Sequence, residues 1–93
     1  MHALAEETEM QIREIWSITD ERIKTFFLGQ CDVRDLGNGC FAFGACMIRI
    51  TTLPLRQVGQ LFFPQTRVEF SGPESDTDKI HQRFVLQFIS AGG

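Results

Sequence analysis

The chain has 93 residues and a mass of 10.6 kDa, the size of one small domain. With 23% charged and 43% hydrophobic residues, its composition argues against both a disordered tail and a membrane span. Its 9 basic and 12 acidic residues leave a net charge of −3, which argues against a duplex-binding role, since displacing counterions from a duplex requires a basic surface.

The charge is unevenly spread. Residues 1–36 hold eight acids and four bases, and residues 37–93 hold four acids and five bases. That pattern reads as a solvated acidic helix above a near-neutral sheet. The uncharged run from Leu36 to Ile48 contains Gly37, Asn38, Gly39 and Gly44, too short and too broken to cross a bilayer. No basic-then-apolar leader precedes the first charged cluster, so no secretory signal is expected. The cysteines are Cys31, Cys40 and Cys46. An odd count, no Cys-x-x-Cys and no metal-ligand spacing to His2 or His81 predict reduced thiols in the cytoplasm, with no metal and no cofactor.

In chain order, residues 1–7 read as a loose N-terminus. Thr8-Glu9-Met10-Gln11 fits a capping box, and Ile12, Trp16, Ile23, Phe26 and Phe27 follow in helical steps, with Thr19 in the intervening turn. Gly29 sits where a helix C-cap belongs. This predicts one amphipathic helix over residues 8–28, about 30 Å long. Its weak point is Ser17-Ile18-Thr19-Asp20, poor helix formers and good caps, where it can break in two.

After Gly29 the period shortens. Asn38-Gly39 is a strong hairpin signal. A long strand is predicted from Cys40 to Thr52, with Cys40, Ala42, Gly44, Cys46, Ile48 and Ile50 on one face and Phe41, Phe43, Ala45, Met47, Arg49 and Thr51 on the other. Residues 54–63 fit a short helix or a loop feeding a strand. A strand over residues 65–70 carries Thr66, Val68 and Phe70 on one face and Arg67 and Glu69 on the other. Residues 71–78 read as a polar hairpin tip. A last strand over residues 79–90 carries Phe84, Leu86 and Phe88 on one face and Val85 and Ile89 on the other, before an end at 91–93.

The expected fold is therefore a single α+β domain over 1–93: a long N-terminal amphipathic helix packed on an antiparallel meander of about four strands. That order of elements is similar in outline to cystatin-like and NTF2-like folds, in which a curved sheet wraps a helix. The resemblance covers the order alone and carries no catalytic residue across. Because the strands at 40–52 and 79–90 are apolar on both faces, something beyond one helix must cover the second face. A second subunit, the 54–63 segment or an apolar ligand are the options, and a homodimer through the sheet is the favoured one.

No catalytic residue is assigned: the chain holds no nucleophile elbow, no His-Glu-x-x-His and no phosphate loop. Arg49, Arg67 and Arg83 fall on three predicted strands and form either an anion-binding patch or a cross-strand charge ladder. Trp16, Phe41, Phe43, Met47, Phe84 and Phe88 are the candidates for an apolar pocket or interface, or for plain core. His81 near Asp76 and Asp78 is a general base or a solvent-facing histidine. Cys31 and Cys46 are equidistant from the Asn38-Gly39 turn, which allows a cross-hairpin pair or two separate thiols.

The functional expectation is a small non-enzymatic binding module that pairs with itself, with another protein or a small apolar ligand as a further partner. The alternatives are an NTF2-like pocket enzyme and an acidic nucleic-acid mimic using Glu6, Glu7, Glu9 and Glu14.

Overall fold

In a computed structural model, residues 8–92 are described, with side chains through Ile89. The expected loose leader at 1–7 lies outside them. The elements are β1 (Glu9–Trp16), α1 (Asp20–Leu28), β2 (Arg34–Gly37), β3 (Cys40–Phe43), β4 (Cys46–Val58), β5 (Leu61–Pro73) and α2 (Glu74–Gly92). The strands form one antiparallel sheet in the order β1-β5-β4-β3-β2. Strands β2 to β5 run as a meander, and β1 lies beyond β5 as an edge strand.

The long N-terminal helix is corrected to a strand and a short helix. In β1 the side chains Met10, Ile12, Glu14 and Trp16 are partly buried while their odd-numbered neighbours are exposed, a period of two. Ile12 and Trp16 are four apart, a spacing that suits a strand and a helix equally. The inward slot at 14 holds a glutamate and the outward slot at 15 an isoleucine, which hid the alternation. The capping-box residues are therefore β1 and its approach. The weak point at Ser17–Asp20 is the true helix start: Thr19 is the N-cap of α1 and its hydroxyl accepts from the Arg22 N–H at 3.3 Å.

The long strand over 40–52 is corrected to two strands. Gly44, at φ +57°, and Ala45 reverse the chain between β3 and β4. Phe43 then faces Cys46 and Phe41 faces Ile48. Phe41, Phe43, Cys46, Ile48 and Ile50 thus share a single face, and all are buried. The Asn38-Gly39 hairpin is present, with φ of 55° and 76° at its two turn residues, the geometry that matches strand twist.

The last strand is corrected to a helix. Glu74 and Asp76 occupy the first turn of α2, where acids complement the macrodipole, so the polar stretch expected as a hairpin tip is the end of β5 and the opening of this helix. Ile80, Phe84 and Phe88 recur every four residues and are buried, while Leu86 is 66% exposed. A strand would have put Leu86 beside Phe84 and Phe88.

These corrections set aside the cystatin-like and NTF2-like outline: among the described residues the sheet has five strands, the first element is a strand and the last a helix, and both helices pack on one face of the sheet. The core between them joins Ile23 and Phe27 of α1, Ile80, Phe84 and Phe88 of α2 and the inward residues of β3, β4 and β5. Phe84 is its centre, edge-on to Trp16 at 5.0 Å and stacked on Phe27 at 5.7 Å between ring centroids. The Thr66 hydroxyl donates to the Ile18 carbonyl at 2.6 Å, fixing the β1–α1 connection to β5.

Candidate interaction surfaces

The ambiguous 54–63 segment is the outer half of the β4–β5 hairpin. The strands lose register between Leu53 and Arg56, where Pro54 and Pro64 each lack an N–H for the ladder. Pairing then resumes to a turn at Gly59-Gln60, leaving an arm that carries Leu55, Val58, Leu61, Phe62 and Phe63, all large, apolar and exposed. From sequence these five belong to the segment that fits a short helix or a loop feeding a strand, and that is one option for covering the sheet; in the structure they stand exposed on the arm instead. The legible signal was a glycine turn between two β-forming runs, each flanked by a proline.

The second surface is the sheet face opposite the helices. Pairing places Arg13, Glu69, Arg49 and Cys40 in one row across four strands, and Ile15, Arg67 and Thr51 in the next. Arg34 joins the same face through its pairing with Ala42, which in turn faces Met47. Arg13, Arg34, Arg49 and Arg67 thus share one face with Glu9 and Glu69, a local excess of positive charge on an acidic chain. Glu69 binds Arg13 at 2.9 Å and lies 3.8 Å from Arg67 Nε, which is buried and has no hydrogen-bond partner. Among the described residues Arg49 has no ion pair. A shallow trough of about 400 Å³ runs over this face, lined by Arg13, Cys40, Met47, Arg49, Glu69 and Ser71 among others.

Arg49 and Arg67 are therefore brought together. Arg83 is not with them. It lies on α2 on the other side of the sheet, where both its Nη atoms donate to Asp32 at 2.9 Å and its guanidinium sits over the Phe43 ring. The Arg83 hydrogen bonds hold the Asp32 carboxyl below its ordinary value and raise the pKa of Arg83.

Of the six apolar candidates, Phe41, Phe43, Phe84 and Phe88 are buried core and Trp16 packs against it; only Met47, 47% exposed, faces outward. The face that was to be covered by a second subunit is covered by the chain's own helices.

His81 meets a carboxylate, but that of Glu14 rather than Asp76 or Asp78. Its Nε2 lies 3.0 Å from Glu14 Oε2, and Trp16 Nε1 donates to Glu14 Oε1 at 2.9 Å. Of the four glutamates named for the nucleic-acid mimic, Glu9 and Glu14 fall on opposite faces of β1, and Glu6 and Glu7 lie outside the described residues. Cys31 is exposed beyond α1 and Cys46 is buried in β4; both are free thiols, as is Cys40. Burial pushes the Cys46 thiol above its ordinary value. Among the described residues no group of three His, Cys, Asp or Glu is placed to hold a metal, and no helix is long and apolar enough to cross a membrane.

No protein-family model matches the chain, and no curated protein is significantly similar to it. The architecture defines a small single-domain α+β module with a five-stranded antiparallel sheet.

Proposed function

We propose that the protein is a non-enzymatic binding module whose principal contact element is the β4–β5 arm, and that its partner is another protein. The observation that carries this reading is the row of five apolar side chains held in water on the arm. Each is between 38% and 63% exposed and so forgoes part of the about 1.5–3 kcal/mol that full burial supplies, and apolar patches of this kind on small domains mark interaction sites. Arg49 and Arg67 of the open face lie on the same two strands that build the arm, which suits a partner with acidic groups beside an apolar cleft. The three thiols suit a cytoplasmic setting.

The test is a photo-crosslinking amino acid at Phe62, irradiated in an extract of the source cells. A discrete adduct competed away by the unlabelled chain, but not by its L61S/F62S variant, supports the arm as the contact element. Absence of an adduct, or equal competition by the variant, rejects it.

A further inference from the structure

Beyond the arm, we infer that the outer edge of β1 pairs with β1 of a second copy, antiparallel about a two-fold axis through Gln11. The edge is open: β1 ends the strand order, and no described strand lies beyond it. The Glu74 N–H donates to the Thr8 carbonyl at 2.9 Å, so even-numbered residues turn their backbone groups toward β5. The N–H and C=O groups of Glu9, Gln11, Arg13 and Ile15 therefore point outward, a free template for another strand.

The side chains select the partner and the register. With the axis at Gln11, Glu9 stands opposite Arg13 of the other copy and Arg13 opposite its Glu9, so the same ion pair forms twice. On the helix-bearing face Met10 meets Ile12, again twice. Moving the axis to Ile12 loses both ion pairs, and moving it to Arg13 sets arginine against arginine. The chosen register also prolongs a ladder already present, because Arg13 binds Glu69 on its inner side.

A second observation agrees. His81, which reaches Glu14 of β1, marks the side of α2 that overlooks this edge, and Arg83, which reaches Asp32, marks the opposite side. Val85 and Ile89 follow His81 at four and eight residues and so line the β1 side. Ile89 is 60% exposed and the adjacent Leu86 66%. A second copy joined through β1 brings its own α2 to this strip and covers it.

The test uses the full chain and two charge reversals, Glu9→Arg and Arg13→Glu, with native molar mass measured by light scattering across a concentration series. The wild type is expected at twice 10.6 kDa. Each variant alone sets like charges opposite each other twice and is expected to associate at least about tenfold more weakly. An equimolar mixture of the two restores both ion pairs between unlike chains and is expected to return to the dimer mass, which also shows that the variants are folded. A monomeric wild type, a dimer indifferent to either reversal, or a mixture that does not re-associate overturns the inference. The arm is intact in all these chains, so failure here leaves the crosslink at Phe62 unaffected, and loss of that crosslink leaves the dimer mass unaffected.

Discussion

The Asp76 carboxylate accepts a hydrogen bond from the Ala45 N–H at 3.0 Å, tying the first turn of α2 to the turn between β3 and β4. The contact depends on Gly44. Its φ of +57° disfavours any side chain, and a Cβ there would lie 2.6 Å from Asp76 Oδ2. Gly44→Ala is expected to lower stability by about 1–3 kcal/mol, from left-handed strain and the displaced carboxylate. Asp76→Ala, which loses the hydrogen bond and the favourable charge at the α2 N-terminus but strains no backbone, is expected to cost about 1–2 kcal/mol. Urea unfolding of the two variants checks the order.

Phe84 touches aromatic rings from β1, α1, β5 and its own helix. Phe84→Ala is expected to cost about 3–5 kcal/mol, the range for emptying a buried phenylalanine site. Leu61→Ser, on the exposed arm, is expected to stay within about 0.5 kcal/mol of the parent. Urea midpoints of similar size for both changes would contradict the separation of core from arm.

Asp32 and Arg83 give a pH dependence with a definite sign. The folded carboxyl is held below its ordinary value by the arginine, so the unfolded chain takes up the proton first as the solution is acidified. The contribution is present above the ordinary carboxylate value of about 3.9 and is lost as pH falls through the folded one. Asp32→Asn should be less stable than the parent near neutrality, and the gap should close in acid. A gap that stays constant with pH would show that the pair adds nothing through its charge.

Cys46 acts at the other end of the scale. Burial raises its pKa, so above the ordinary thiol value of about 8.5 the unfolded chain loses a proton that the folded chain retains. Stability therefore declines as pH rises through that range, and Cys46→Ala should flatten the decline. Iodoacetamide should label the exposed Cys31 in the folded protein and reach Cys46 only on unfolding. Mass spectrometry of timed aliquots reads both rates.

Part of this architecture is legible residue by residue. Asn38-Gly39 as a hairpin and the alternation of Thr66, Val68 and Phe70 against Arg67 and Glu69 each rest on chemistry within a few residues, and each has its expected form; Thr19, read within a continuous helix with a weak point at 17–20, is instead the cap of a short one. The elements at the two ends were misread for a shared reason. Ile12 and Trp16, like Phe84 and Phe88, are spaced by four, a multiple of the strand period that also fits one helical turn. Which period applies depends on what stands in the intervening slots. At Glu14 and Leu86 those slots broke the polarity rule: Glu14 is turned inward to Trp16 and His81, and Leu86 outward to solvent.

The candidate surfaces divide in the same way. That Arg49 and Arg67 share a face follows from strand alternation once β4 and β5 pair, and the sequence suggested as much. That Arg83 stands apart from them follows only from the helical state of α2. The sequence alone determined the size of the domain, its mixed α+β character, its hairpin signals and its supply of apolar side chains. Tertiary structure decided which of those side chains are core. One two-residue turn at Gly44-Ala45 brings Phe41 and Phe43 onto the face of Cys46 and Ile48, because reversing a chain through two residues sets the flanking positions opposite each other rather than on alternate sides.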